Sequence, residues 1–466
     1  MSDERPAPTS PIGSRRESAA KIWILTGHGP HSRPQPPART PLEIGPLRRW
    51  IGPALLIGST PPLVIVLWMI VAHYDGSILR FLTTIDRATL MALLPHPTWT
   101  AAAILAGWTA LQGLLLALLP GERHLGPVTP TGQRPAYRLN GIAAWIVTHG
   151  ALLATWAAGL WSARSVVREL GAMLVLLTGS ALAFCAFLYW KGRRYPSSTD
   201  AVYTGSFLFD FFQGIELHPT LFGVNLKQLI NCRVSMMGWS ALVVSFALYQ
   251  HETHGHVTSS MLVSSILLVL YLLKFFVWES GYFASLDIMH DRFGYYICWG
   301  VLVWVPAVYT LSWQYLAHHP IDLPLGAALA ITGLGLGALW ANYAADAQRQ
   351  RVRATGGRTT VWGRAPRMLR ARYRTAEGTE RENLLLTSGF WGLARHFHYV
   401  PELLLALCWA LPAGFHHALP YFYFVFLTIL LFDRASRDDA RCQAKYGDTW
   451  EEYRRLVPYK IIPGVY

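Results

Sequence analysis

Charge is scarce in this sequence. Only 14% of its 466 residues are Asp, Glu, Lys or Arg, where an ordinary soluble domain carries about 25%. Apolar residues take their place at 52%, with 19 Trp, 21 Tyr and 20 Phe among the aromatic and apolar side chains. That balance disfavours a water-soluble two-domain enzyme, which length alone would permit. Cysteine is scarce too: there are five, with no CxxC spacing, so neither a disulfide framework nor a zinc finger is supported. Cys185, Cys232, Cys298 and Cys408 fall in or beside apolar stretches and read as packing residues. GxSxG, P-loop and HExxH motifs do not occur. The first 45 residues lack the apolar run and small-residue cleavage site of a signal peptide. Rich in Pro, Ser, Gly and Arg, they read as a disordered basic tail ahead of one membrane domain over 46–466.

That domain holds about ten apolar stretches near the roughly 17–25 residues a spanning helix needs. They cover approximately 52–72, 98–119, 141–162, 172–190, 234–250, 258–280, 294–316, 325–345, 401–417 and 419–433. The last two are short and flank Pro420, which leaves a tight hairpin or one broken helix open. Charge tests the count independently, because cytoplasmic loops collect Lys and Arg. With the N-terminus inside, 35 of the 40 basic residues fall on the inside; the outside loops hold only Arg80, Arg87, Arg164 and Arg168, and Lys274 lies within a helix. The expected fold is therefore all-α and polytopic, with about ten transmembrane helices in a lipid bilayer and both termini cytoplasmic. The formal net charge of +13 belongs to topology, and no nucleic-acid role is assigned to it.

Three inside segments are too patterned to be simple connectors. The first, 191–233, contains Asp210-Phe211-Phe212-Gln213-Gly214-Ile215-Glu216. The second, 274–293, places Glu279, Tyr282 and His290 on one helical stripe with Asp287 and Asp291 close to it. Ionisable groups at membrane depth are costly and mark a site by default. The third, 346–400, carries eleven Arg; Arg349 and Arg353, four apart, share one face of a helical extension where guanidinium forks could grip phosphates. Other candidates fail. Gly333, Gly335 and Gly337 lie inside an apolar helix, so Gly333 and Gly337 read as a close-packing GxxxG instead of a nucleotide fingerprint. His251, His254 and His256 have only Glu252 beside them and read as interfacial residues, not as a metal site.

The C-terminal third changes the reading. The run Leu385-Leu386-Thr387-Ser388-Gly389-Phe390-Trp391-Gly392-Leu393-Ala394-Arg395-His396-Phe397-His398-Tyr399 closely resembles the signature of the membrane sterol reductases. So do Arg437-Asp438-Asp439, Arg441-Cys442-Gln443-Ala444-Lys445-Tyr446-Gly447, Trp450, Tyr453 and Val457-Pro458-Tyr459. Upstream, Gly126-Pro127-Val128-Thr129-Pro130, the segment at Asp210, and Ser285-Leu286-Asp287-Ile288-Met289-His290-Asp291 fit the same family, so the resemblance covers about 120–466. It implies a ten-helix enzyme that uses NADPH to saturate a sterol ring double bond. Gly389-Phe390-Trp391 and Val361-Trp362-Gly363-Arg364 point within it to the branch acting on the 7,8 double bond of 5,7-diene sterols, in cholesterol-type biosynthesis. Reduction of a sterol 14-ene or 24-ene is the alternative in the same family.

The resemblance carries cofactor contacts onto Arg349, Arg353, Leu386, Trp391, His398, Tyr399, Asp438, the run Cys442, Gln443, Ala444, Lys445 and Tyr446, and Tyr453. It implies a cofactor-binding part mainly over 340–466. Arg349 stands where the family commonly has Lys, His398 and Asp346 where it commonly has Asn, and Lys274 where an acidic residue is usual. Alkene reduction by a nicotinamide also needs an acid in a water-poor pocket. Tyr282, Glu279 and Asp287 are the candidates, with His290 as orienter. A looser resemblance to the isoprenylcysteine carboxyl methyltransferases, which use S-adenosylmethionine, leaves residues 120–300 unexplained. A non-catalytic sterol binder is opposed by the retained cofactor positions, and a transporter by the lack of an internal repeat. The expected location is the endoplasmic reticulum membrane in a eukaryote or the inner membrane in a bacterium.

Overall fold

The computed structural model describes residues 35–40, 45–374 and 380–466. The tail expected over 1–45 lies outside them, apart from 35–40 and Gly45. Among the described residues eight helices are long and apolar enough to cross a membrane: Leu47–His73, Trp99–Leu118, Ala163–Arg194, Gln228–His254, Ser259–Val277, Tyr295–His318, Leu325–Ala354 and Leu419–Tyr446. Two shorter apolar helices, Gly141–Ala157 and Tyr399–Ala413, take the third and ninth places in chain order. Together these occupy the ten stretches read from hydropathy, and they are called the first to tenth spans below.

Local chemistry sets their ends. Thr98 accepts from the Ala101 amide at 3.0 Å and Thr258 from the Met261 amide at 3.4 Å, each satisfying one of the first amides that a helix leaves without an internal partner. Gly255, at φ 78°, closes the fifth span in the left-handed conformation that glycine adopts without strain. The ninth and tenth spans form a hairpin and not a broken helix. Pro412, Gly414 (φ 68°) and Pro420 interrupt the helical bonding, and the Tyr421 hydroxyl donates to the Gly414 carbonyl at 3.0 Å.

The fifth and seventh spans form the middle of the bundle, and the second and eighth lie at its periphery. Both central spans contain a turn of wide, π-type helix, Gln228–Met236 and Gly300–Tyr309. Pro306 in the latter has no N–H to offer the regular ladder. The GxxxG expectation for Gly333 and Gly337 is overturned: a Cβ at either would meet nothing within 4 Å. Gly335 is instead the packed glycine, facing Leu267 and Cys408, because the contact stripe of the eighth span runs through Gly335, Ala338 and Asn342.

Among the described residues, strand is confined to small two-stranded hairpins at one end of the bundle. One pairs Glu122–Leu125 with Ala136–Leu139; another pairs Met368–Arg374 with Glu380–Leu386 in register from Met368↔Leu386 to Arg374↔Glu380. The eighth span has 30 residues, roughly 45 Å at 1.5 Å per residue, against a hydrocarbon core of about 30 Å. Its C-terminal turns therefore project among these hairpins and carry Arg349 and Arg353 with them. Cys185, Cys232, Cys298 and Cys408 are buried free thiols, as packing residues should be.

Candidate active site

The projecting end of the eighth span is the floor of a cationic and aromatic cluster. The Arg349 guanidinium lies 3.9 Å over the Trp391 ring and pairs with Asp346 at 3.1 Å. Trp391 is fixed by its indole N–H, which donates to the Ala345 carbonyl at 2.7 Å. Its ring then meets His398 at 5.0 Å, and His398 meets Tyr399 at 4.3 Å. Leu386 and Trp391 pack with Val352 and Val361, while Tyr446, Trp450 and Tyr453 form a second apolar group with Ala371 and Leu385. The Tyr453 hydroxyl reaches the Trp391 carbonyl at 3.5 Å and ties the two groups together. Arg353 is solvent-accessible, with its Nε 3.5 Å from the Leu384 carbonyl.

The C-terminal part of the tenth span supplies the opposite wall. Asp438 bonds Arg441 and lies 3.8 Å from His396; the Cys442 thiol is 3.9 Å from Asp438. Lys445 lies over Tyr373 at 3.9 Å, and the Tyr446 hydroxyl accepts from Asn383 at 2.9 Å. Gln443 turns to Gly447 and Glu451 and Ala444 is exposed, so the helical period points those two of the expected contacts away from the cluster. Burial, reinforced by Arg349, holds His398 neutral by lowering its pKa. Arg349 Nε and His398 Nδ1 are both buried without a hydrogen-bond partner among the described residues. Orphaned polar atoms of this kind are rare and call for a bound group or water.

The acid candidates separate in space, and the single stripe expected for Glu279, Tyr282 and His290 is not formed. Glu279–Tyr282 and Leu286–Met289 are two short helices with a turn between them, so the phase is lost. Glu279 is buried in an ion pair with Arg233 and accepts from the Gly141 amide at 3.2 Å; Arg233 also donates to Asn140 at 3.0 Å. Tyr282 meets Phe275 at 4.8 Å and Asn231 at 3.4 Å, and burial raises its pKa. Asp287 pairs with Arg434 at 2.5 Å. His290 is solvent-exposed, with Arg441, Lys445 and Asp438 among the charges that act on it.

A second polar group was not read from the sequence. Asn342 donates to Glu402 at 2.9 Å and to the His398 carbonyl at 3.1 Å, and accepts from Lys274 at 2.5 Å. The Tyr271 hydroxyl donates to the other Glu402 oxygen at 2.7 Å. Tyr271 opens onto an aromatic cage, with Trp409 at 5.7 Å and Trp239 at 6.3 Å, and Tyr309 and Tyr423 beyond. The usable sequence signal was three isolated polar residues, Tyr271, Lys274 and Glu402, each inside an apolar run.

Comparison with known proteins gives the family. Residues 63–466 match the model of the Ergosterol biosynthesis ERG4/ERG24 family. A 7-dehydrocholesterol reductase of Arabidopsis thaliana is 46% identical over 415 residues, 88% of this chain and 96% of the relative. A Delta(14)-sterol reductase of Methylotuvimicrobium alcaliphilum is 36% identical over 418 residues, 88% and 94%, and a 7-dehydrocholesterol reductase of Danio rerio is 32% identical over 467 residues, 95% and 97%. The matched region takes in nine spans whole, the C-terminal part of the first, and both polar groups, and the chain belongs to the ERG4/ERG24 family of ergosterol biosynthesis proteins.

Proposed function

We propose that this protein is a membrane oxidoreductase that uses NADPH to reduce a ring double bond of a sterol, with the 7,8 double bond of a 5,7-diene sterol as its preferred target. One observation carries the reading: Asn342 joins the cationic, aromatic cluster directly to a half-buried Tyr271–Glu402 pair beside a cluster of aromatic rings. The choice of double bond is supported by the 46% identity to a 7-dehydrocholesterol reductase, against 36% to a Delta(14)-sterol reductase.

The residues of the cluster fit a nicotinamide dinucleotide. Arg349 and Arg353 suit phosphates, the rings of Trp391, His398 and Tyr399 suit a flat heterocycle, and the unpartnered Arg349 Nε and His398 Nδ1 can meet its polar atoms. When bound, this cofactor supplies hydride. The chain itself supplies the proton and excludes water. Among the acid candidates, Glu279 is committed to Arg233 and Asp287 to Arg434, so both carboxylates are already engaged by guanidinium partners. Tyr271 is better placed. A protonated Glu402 reverses the hydrogen bond between them, turns the Tyr271 hydroxyl proton toward the cage, and returns a proton to Tyr271 after transfer. Lys274 and Asn342 fix the far side of this group.

Purified protein given NADPH and 7-, 14- and 24-unsaturated sterols tests the reading. A 5,7-diene should be reduced fastest, with some crossover because apolar pockets discriminate weakly. Faster turnover of a 14-ene or 24-ene would overturn the assignment of the double bond, and no sterol reduction at all would overturn the activity.

A further inference from the structure

At the end of the bundle opposite Arg349, the fourth span begins with Arg164 and Arg168, four residues apart and so on one face. They are two of only four basic residues in the sparsely charged outside loops. Both line one cavity of about 430 Å³, together with His73, His318, Thr253 and Gln314, and no acidic side chain lines it. The nearby carboxylates are already engaged. Glu252 caps the start of the fourth span, accepting from Trp156, Ser162 and the amides of Ala163 and Arg164 at 2.6–3.1 Å. Glu169 accepts from Thr98 at 2.5 Å and stands 3.5 Å from Arg168. Arg164 bonds the Glu252 carbonyl, and among the described residues no carboxylate pairs with its guanidinium.

Ser165 and Leu170 are walls of this cavity and also of a second, apolar one of about 1500 Å³. The larger cavity is a half-open groove between the second, third, fourth, fifth and seventh spans, lined by residues such as Trp108, Leu152, Val166, Leu177 and Val301. A cationic pocket adjoining a long apolar groove across Ser165 and Leu170 matches an amphiphile carrying an anionic head and a hydrocarbon tail. A steroid nucleus offers the tail but no anion, and a free phosphate offers the anion but no tail.

We infer that this face binds one anionic glycerophospholipid, its phosphate held by Arg164 and Arg168 and one acyl chain laid in the groove past Leu170. Basic pockets between membrane helices recognise lipid headgroups by the same charge complementarity. The site is separate from the cofactor cluster and stands whether or not the reductase reading holds.

The full chain, purified in mild detergent, should be titrated with dioleoyl phosphatidylglycerol, dioleoyl phosphatidylcholine and inorganic phosphate, with binding read by native mass spectrometry. The anionic lipid should bind at least about tenfold tighter than the zwitterionic one, and the Arg164→Gln/Arg168→Gln pair should abolish that preference. Arg80→Gln/Arg87→Gln removes the same outside charge away from the cavity and should leave the preference intact. Gly107→Phe projects into open space in the groove and should weaken the dioleoyl lipid while sparing a dihexanoyl one. Equal binding of the two dioleoyl lipids, an unchanged preference in the Arg164/Arg168 variant, or an equal loss in the Arg80/Arg87 control would overturn the proposal. So would competition by millimolar phosphate, which would mark a free-anion site, or indifference of the dioleoyl lipid to Gly107→Phe.

Discussion

Arg349 and Arg353 illustrate how two side chains of one type, a helical turn apart, come to different positions. Arg349 is held twice, by the Trp391 face and by Asp346, whereas among the described residues the hydrogen-bond partner of the Arg353 side chain is the Leu384 carbonyl, at the limit of a hydrogen bond. Arg353 is accordingly the residue free to take a phosphate. A charge-assisted hydrogen bond is worth about 1.5–3 kcal/mol, and each 1.4 kcal/mol is about tenfold. Arg353→Ala should therefore weaken NADPH binding roughly 10-fold to 100-fold. If Arg353 meets the extra ribose phosphate, NADH should lose much less, and titration of both nucleotides measures the difference. The acid is tested by Tyr271→Phe and Glu402→Gln, each expected to lower turnover by about 10²–10⁴-fold with NADPH affinity nearly intact. Tyr282→Phe should have the smaller effect, and the reverse order in a turnover assay would return the proton to Tyr282.

At the level of elements, buried ion pairs fasten loops to spans. Arg233, in the wide turn of the fifth span, and Glu279, just past the sixth, are both buried, and through Asn140 and Gly141 they also hold the start of the third span. Removing one partner strands a buried charge at a cost of about 3–5 kcal/mol, whereas removing both is far milder. Glu279→Gln should thus lower the thermal midpoint in detergent, and Arg233→Met/Glu279→Met should regain much of it. A Glu279→Gln protein of full stability and no turnover would instead make Glu279 catalytic. Glu279 and Tyr282 were legible as polar residues near a membrane boundary. Their partners were not, because Arg233 lies 46 residues away from Glu279 and only packing of the fifth and sixth spans brings it there.

Over the whole molecule, ten crossings would return the chain to the side on which it began, and the Lys and Arg excess predicts that this side is the cytoplasm. Cysteines placed at Gln35 and Lys460 should both be labelled from the cytoplasmic side alone; labelling on opposite faces would remove one crossing. The same end carries a pH dependence with a definite sign. Burial pushes His396 down to about 4, below the roughly 6.5 of an unfolded histidine. The unfolded chain therefore takes up protons first, and stability is lost as pH falls from about 6.5 toward 4. The thermal midpoint should drop across that window and His396→Gln should flatten the drop; a midpoint independent of pH there would contradict it.

Sequence by itself determined the number and places of the spans, because hydropathy and the sidedness of Lys and Arg are sums over many residues that no single contact can reverse. It also determined the family motifs around Trp391 and Tyr446, which are contiguous in the chain. Tertiary structure alone decided which polar residues meet. The Tyr271–Glu402 contact crosses 131 positions, and with Lys274 and Asn342 the group is drawn from three apolar helices, where hydropathy marks each residue as isolated but not which of them meet. Gly335 rather than Gly333 or Gly337 became the packed glycine for the same reason: helical spacing says which residues share a face, but only the neighbouring helices decide which face is buried.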